Sequence, residues 1–122
     1  MLAHDPITLF DDAVEVPGGY RDVTPEAVHA AIGRIRVVDV REPHEYVGEL
    51  GHVPGSELVP LATIGVAAGD WNPAADLILV CRSGARSGRA AAALVAAGFR
   101  RVMNMAGGLL AYNAAQLPVE RA

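Results

Sequence analysis

Short apolar, β-branched runs that alternate with helix signals predict an α/β protein, an open parallel sheet covered by helices on both faces. Two runs carry most of this reading. Ile35-Arg36-Val37-Val38-Asp39-Val40 and Leu77-Ile78-Leu79-Val80 are strand-length and nearly all apolar, as expected of strands buried on both sides. Third, each run leads into turn and helix-start residues, not into the tight two-residue turn of a hairpin.

In chain order, residues 1–19 are weakly patterned and end in the turn signal Pro17-Gly18-Gly19, so they are read as an extension lying on a domain of residues 20–122. Tyr20 to Val23 fits a short strand. Thr24 fits a helix N-cap with Pro25 at the first helical position, the helix running to about Ile32 and stopping at Gly33. After the strand Ile35–Val40, a short helix spans Glu42 to Gly48, entered through Pro43. Leu58-Val59-Pro60 is extended, Leu61 to Ala68 helical, and Trp71-Asn72-Pro73 breaks the chain. The strand Leu77–Val80 ends at Cys81. Arg82 to Arg86 form a turn, Ser87 to Ala97 an alanine-rich helix stopped by Gly98, and Arg101 to Asn104 a strand. Gly107-Gly108 opens a last helix through about Ala114. Neither a repeat nor a second domain is visible.

The 122 residues are enough for one buried core, and a composition 52% hydrophobic and 20% charged is that of a globular chain. A net charge of −4 argues against a protein built to grip nucleic acid. All the basic residues are arginine, so any anion site must use guanidinium groups. No apolar stretch approaches the roughly 20 residues of a membrane span, and the first residues lack the pattern of a secretory signal. A single cysteine forms no internal disulfide, which fits a reducing compartment, so the cytoplasm is the expected location.

Cys81 is the candidate nucleophile. Ligands of open α/β sheets bind beyond the carboxyl ends of the strands, where Cys81 stands, just before a loop that runs into a helix. The free amides and dipole of that helix face the loop, Gly84 permits the backbone to turn amides inward, and Arg82 and Arg86 add two positive charges. Such surroundings favour the reactive thiolate and bind an oxyanion. An isolated cysteine at a strand end is more often an inert small hydrophobe, but an inert site has no need of arginine, serine and glycine around it.

Four stretches together resemble the rhodanese family of thiosulfate and related sulfurtransferases, from about Tyr20 to Pro118. They are Asp39-Val40-Arg41-Glu42-Pro43-His44-Glu45-Tyr46, Gly51-His52-Val53-Pro54-Gly55-Ser56, the loop Cys81-Arg82-Ser83-Gly84-Ala85-Arg86-Ser87, and Asn104-Met105-Ala106-Gly107-Gly108. The resemblance implies a five-stranded parallel sheet flanked by helices, without metal or organic cofactor. It also implies a two-step transfer. Cys81 takes the outer sulfur of a small anionic or persulfide donor and passes it to an acceptor, cyanide or a thiol, with a protein acceptor left open. Substrate contacts fall to Arg82, Ser83, Gly84, Ala85, Arg86 and Ser87, with Arg82 and Arg86 gripping the donor anion. Ser87 has an alternative reading as a mere N-cap.

Asp39 and Arg41 fall near the loop in this family, either touching substrate or bracing the loop, with Arg41 paired to Glu45 or to Asp39. His52 is read as hydrogen-bonding a nearby turn and His44 as exposed. The sequence departs from the family at Leu58, where asparagine is common, and at Tyr112, where tryptophan is frequent. The run Gly48 to His52 with Leu58 to Leu61 looks most like rhodanese domains found beside persulfide dioxygenases, which points toward a low-molecular-weight persulfide or thiol as substrate. Two competitors are weighed. A phosphatase or arsenate reductase on this fold needs a longer loop before its arginine, whereas Arg86 follows Cys81 after only four residues. A sulfur carrier shares the first half-reaction and differs by slow turnover with small acceptors.

Overall fold

The computed structural model describes residues 8–122; the first seven residues of the expected extension lie outside them. The elements run in the order α1 (Leu9–Asp12), β1 (Val14–Glu15), β2 (Arg21–Val23), α2 (Pro25–Ala31), β3 (Arg36–Asp39), α3 (Pro43–Tyr46), β4 (Glu57–Leu58), α4 (Ile64–Ala67), β5 (Leu77–Val80), α5 (Ala85–Ala96), β6 (Val102–Met105) and α6 (Gly108–Ala114). Short 3-10 turns, Leu61–Thr63 and Ala68–Asp70, flank α4, so the single helix expected over residues 61–68 is broken into three pieces. Thr24 caps α2 as expected, its hydroxyl accepting from the Ala27 amide at 3.1 Å.

The sheet has six strands in the order β1-β2-β6-β5-β3-β4. The five from β2 to β4 in this order are all parallel, as the resemblance implied. The sixth, β1, comes from the extension and pairs antiparallel with β2, Val14 opposite Asp22. The extension therefore belongs to the domain's architecture: the chain reverses between Val16 and Tyr20, and Leu9 and Phe10 enter the core. The weak patterning of residues 8–19 hid this, because a four-residue helix and a two-residue strand are too short to show a period.

Strand parity sorts the core into two layers. From β5, Ile78 and Val80 join Val37, Met103, Met105, Leu109 and Tyr112 under α1, α2 and α6. Leu77, Leu79 and Cys81 point the other way, to Val38, Val40, Val102, Ala90, Ala91 and Leu94 under α4 and α5. The alanines of α5 let that helix lie close on the sheet. Among the described residues no helix is long and apolar enough to cross a membrane.

Leu9 is 4% exposed in the first layer. Leu9→Ala is expected to cost about 2 to 5 kcal/mol of stability by cavity formation, read as a lower urea midpoint with an unchanged slope.

Candidate active site

Parallel strands place their carboxyl ends on one edge of the sheet, and there β5 delivers Cys81 into the segment that leads to α5. The helix begins earlier than expected. Gly84 occupies the N-cap position in the left-handed conformation, φ 97°, so Ala85 and Arg86 belong to the first helical turn and not to the loop. The bend turns amides back onto the cysteine. The Gly84 N–H donates to Sγ at 3.1 Å and the Ser87 N–H at 3.4 Å.

The loop is fixed from behind by α6. The Leu109 N–H donates to the Cys81 carbonyl at 2.9 Å and the Leu110 N–H to the Arg82 carbonyl at 3.0 Å. With both carbonyls held away, the loop's amides are left facing the sulfur. This contact requires glycine at 108, where a Cβ would collide with the Arg82 carbonyl and lie 2.6 Å from the Cys81 carbonyl oxygen. The Gly-Gly signature of the sequence is thus a packing requirement of the active loop.

Ser87 is not an N-cap. It is buried in the first turn of α5, and its hydroxyl lies 3.3 Å from Sγ and 2.5 Å from Asn104 Oδ1. One hydroxyl proton faces two acceptors, the Cys81 sulfur and the Asn104 side-chain oxygen. Asn104 was visible in the sequence only as part of a motif. Parity on β6 puts it on the same face as Cys81, where its amide nitrogen donates to the Gly84 carbonyl at 3.2 Å.

Cys81 is wholly buried. Burial pushes its pKa up, but the Ser87 hydroxyl and the N–H groups of Ser87, Gly84 and Ser83 outweigh that, and the thiol ends below its ordinary value of 9.0. The geometry favours a thiolate formed without a separate general base.

The arginines divide differently from the expectation. Arg41 is 1% exposed and binds Asp39 through Nε and Nη2, at 2.8 to 3.1 Å, and the Gly51 carbonyl at 2.7 Å. Its ion-pair partner is Asp39 and not Glu45. Glu45 instead holds Arg86 in a two-pronged pair, Nη1 to Oε1 at 2.9 Å and Nη2 to Oε2 at 2.8 Å. Arg86 thus meets a carboxylate of its own chain where the sequence reading gave it to a donor. Sequence spacing could not find this pair, whose members stand 41 positions apart.

Arg86 holds the Glu45 carboxyl at about 2, against desolvation, with help from the Glu42 backbone and the charge on Arg41. Arg82 and Ser83 are exposed. Arg82 lines a cavity of about 320 Å³ with Arg41, His44, Glu45, Glu49 and Leu110. His44 is exposed, and buried His52 stacks on Tyr46 and bonds its carbonyl at 2.7 Å, a structural role. Among the described residues no group of His, Cys, Asp or Glu side chains is placed to hold a metal ion.

Residues 24–115 match the family model described as Rhodanese-like domain. A protein of Allochromatium vinosum called Sulfurtransferase is 34% identical over 85 residues, 70% of this chain and 78% of its own length. The chloroplastic Rhodanese-like/PpiC domain-containing protein 12 of Arabidopsis thaliana is 33% identical over 103 residues, 76% of this chain, which spans only 34% of that protein. The crystal structure of a rhodanese-related protein from Thermoplasma volcanium superposes with a TM-score of 0.75 at 23% identity, over 84% of this chain and all of the other, and shows the shared fold.

Two measurements test the site. Ser87→Ala removes a donor to the sulfur, so the pH midpoint of Cys81 alkylation by iodoacetamide shifts upward. In the unaltered protein that midpoint lies below the ordinary thiol value, with alkylation lost as the pH falls through it. Asp39→Ala leaves the Arg41 guanidinium buried without its carboxylate and is expected to cost about 3 to 5 kcal/mol in denaturant unfolding.

Proposed function

The chain belongs to the rhodanese-like family, and we propose that it is a sulfurtransferase that carries sulfane sulfur as a persulfide on Cys81. One observation carries the reading above others: the sulfur of Cys81 accepts from two backbone amides, Gly84 at the end of its loop and Ser87 in the first turn of α5, at 3.1 and 3.4 Å. The sulfurtransferase among the relatives supports the same reaction class.

In the first half-reaction the Cys81 thiolate attacks the outer sulfur of a donor, thiosulfate or a low-molecular-weight persulfide. A bond forms from Sγ to that sulfur, and the donor's sulfur–sulfur bond breaks with its electron pair leaving on sulfite or on a thiolate. In the second, cyanide or a thiol attacks the terminal sulfur and the pair returns to Sγ, so ping-pong kinetics result. The amides of Gly84 and Ser87 stabilise charge on the sulfur in the manner of an oxyanion hole. Arg82 orients the donor's anionic end from outside. Because Cys81 is buried, the loop's side chains must part for a donor, and only a narrow reacting end can enter.

A phosphatase reading is disfavoured by the same dimensions. Arg86 lies in the first turn of α5 and faces Glu45, so it does not close a loop around a tetrahedral phosphate.

Brief exposure to thiosulfate or glutathione persulfide should add about one sulfur mass to the intact protein, lost again on adding cyanide or glutathione. Cys81→Ser should show no adduct and no turnover while remaining folded. A folded, unaltered protein that gains no sulfur from either donor refutes the proposal.

A further inference from the structure

The charges around the loop form matched pairs within the chain. Arg41 is neutralised by Asp39 in the core, and Arg86 is held by Glu45, whose pairing nitrogens and oxygens are all engaged. Glu45 is not free to swing away. Its Oε1 also accepts from the Glu42 amide at 3.0 Å, in the capping box that starts α3. The side chains of Glu45 and Arg86 are only 20% and 30% exposed, so water does not screen their attraction fully. In the cavity beside them, Arg82 is the guanidinium without an ion pair to another described residue, and Glu49 and Glu45 supply two carboxylates.

Thiosulfate presents a dianion whose charge is concentrated next to the reacting sulfur. A mouth of balanced charge with a carboxylate fixed in it gives such a donor little attraction. A persulfide of an amino-acid thiol carries its carboxylates several bonds from the reacting sulfur and can react there as the neutral RSSH, so it brings no dianion to the mouth. Arg86 stands in the first turn of α5, between Gly84 and Ser87, whose N–H groups both reach Sγ, so a released Arg86 would act beside the place where the donor's sulfonate must come.

We propose that Glu45 is a specificity-determining residue: by holding Arg86 in a two-pronged ion pair it withholds that second cation from the donor and selects persulfides over thiosulfate. This rests on the sulfur-transfer reading of Cys81. Glu45 contributes selectivity without taking part in the chemistry.

The test compares kcat/KM for thiosulfate and for glutathione persulfide, with one acceptor, in the unaltered protein and in Glu45→Gln. Glutamine keeps an oxygen for the α3 capping bond, so the helix start is retained. The expected result is a rise in thiosulfate kcat/KM of about fivefold or more, with the persulfide value changed by less than about twofold. The ratio is the readout, because an altered Cys81 pKa would move both donors together. Adding Arg86→Gln to Glu45→Gln should abolish the gain, which ties it to the released guanidinium.

A thiosulfate-to-persulfide ratio that stays the same or falls in folded Glu45→Gln overturns the proposal, since Glu45 would then be positioning Arg86 for the anion. So does a gain that survives the double substitution. If the unaltered protein takes sulfur from neither donor, the sulfur-transfer reading itself fails, and that outcome is separate from a failed ratio.

Discussion

Two backbone hydrogen bonds, from Leu109 and Leu110 on α6 to the carbonyls of Cys81 and Arg82, set the constraint from which the site derives. A peptide unit is planar, so fixing its carbonyl also fixes the direction of the next amide. With these carbonyls drawn toward α6 and Gly84 in the left-handed region, the succeeding N–H groups converge on Sγ. The thiol is desolvated at the end of a buried strand, which alone would keep it protonated. Directed donors outweigh that, and the thiol of a cysteine packed within the apolar core ends below its ordinary value. Gly108 is as necessary as Gly84, because α6 reaches the loop only where no Cβ intervenes.

The same edge of the sheet concentrates charge, and the fold deals with it by pairing. Burying Arg41 is tolerable only because Asp39, two residues earlier, meets it with both oxygens and the Gly51 carbonyl accepts a further hydrogen bond. This pair links the end of β3 to the segment before His52. Glu45 and Arg86 tie α3 to α5 on the other side. The Cys81 loop is held from behind by α6, and the helix that follows it is tied to α3 by an ion pair. A consequence of this rigidity is that guanidinium groups that look available in the sequence are largely engaged, leaving Arg82 as the exposed cation at the mouth.

Strand parity connects the core to the chemistry. The side chains of Leu77 and Leu79 on β5 and of Cys81 just beyond its end share one face, and on β6 Val102 and Asn104 share it. A one-residue slip in either strand would exchange faces and separate Asn104 from Ser87 and the loop. The apolar residues that fix the register thus also aim the polar ones. The N-terminal extension contributes at a distance, with Leu9 and Phe10 in the opposite layer and β1 covering the outer edge of β2.

Local patterns along the chain were enough to establish the alternation of strands and helices, the parallel sheet, and the position of Cys81 at a strand end before a helix. Apolar runs, an N-cap at Thr24 and glycine at bends act over a few residues, so they are legible without the fold. The family resemblance, not a local pattern, brought Asp39 and Arg41 near the stretch from Arg82 to Ser87. Which charges neutralise one another was settled by packing in three dimensions. Pairing of Glu45 with Arg86 depends on how α3 and α5 are brought together, whereas Asp39 and Arg41 stand two residues apart and the choice between Asp39 and Glu45 as partner of Arg41 was left open along the chain. Packing likewise turned Ser87 from a helix cap into a donor to the sulfur, because the helix starts at Ala85 and not at Ser87. Residues 8–19 were hidden for the same reason, since elements so short have no period and take their structure from the sheet they join.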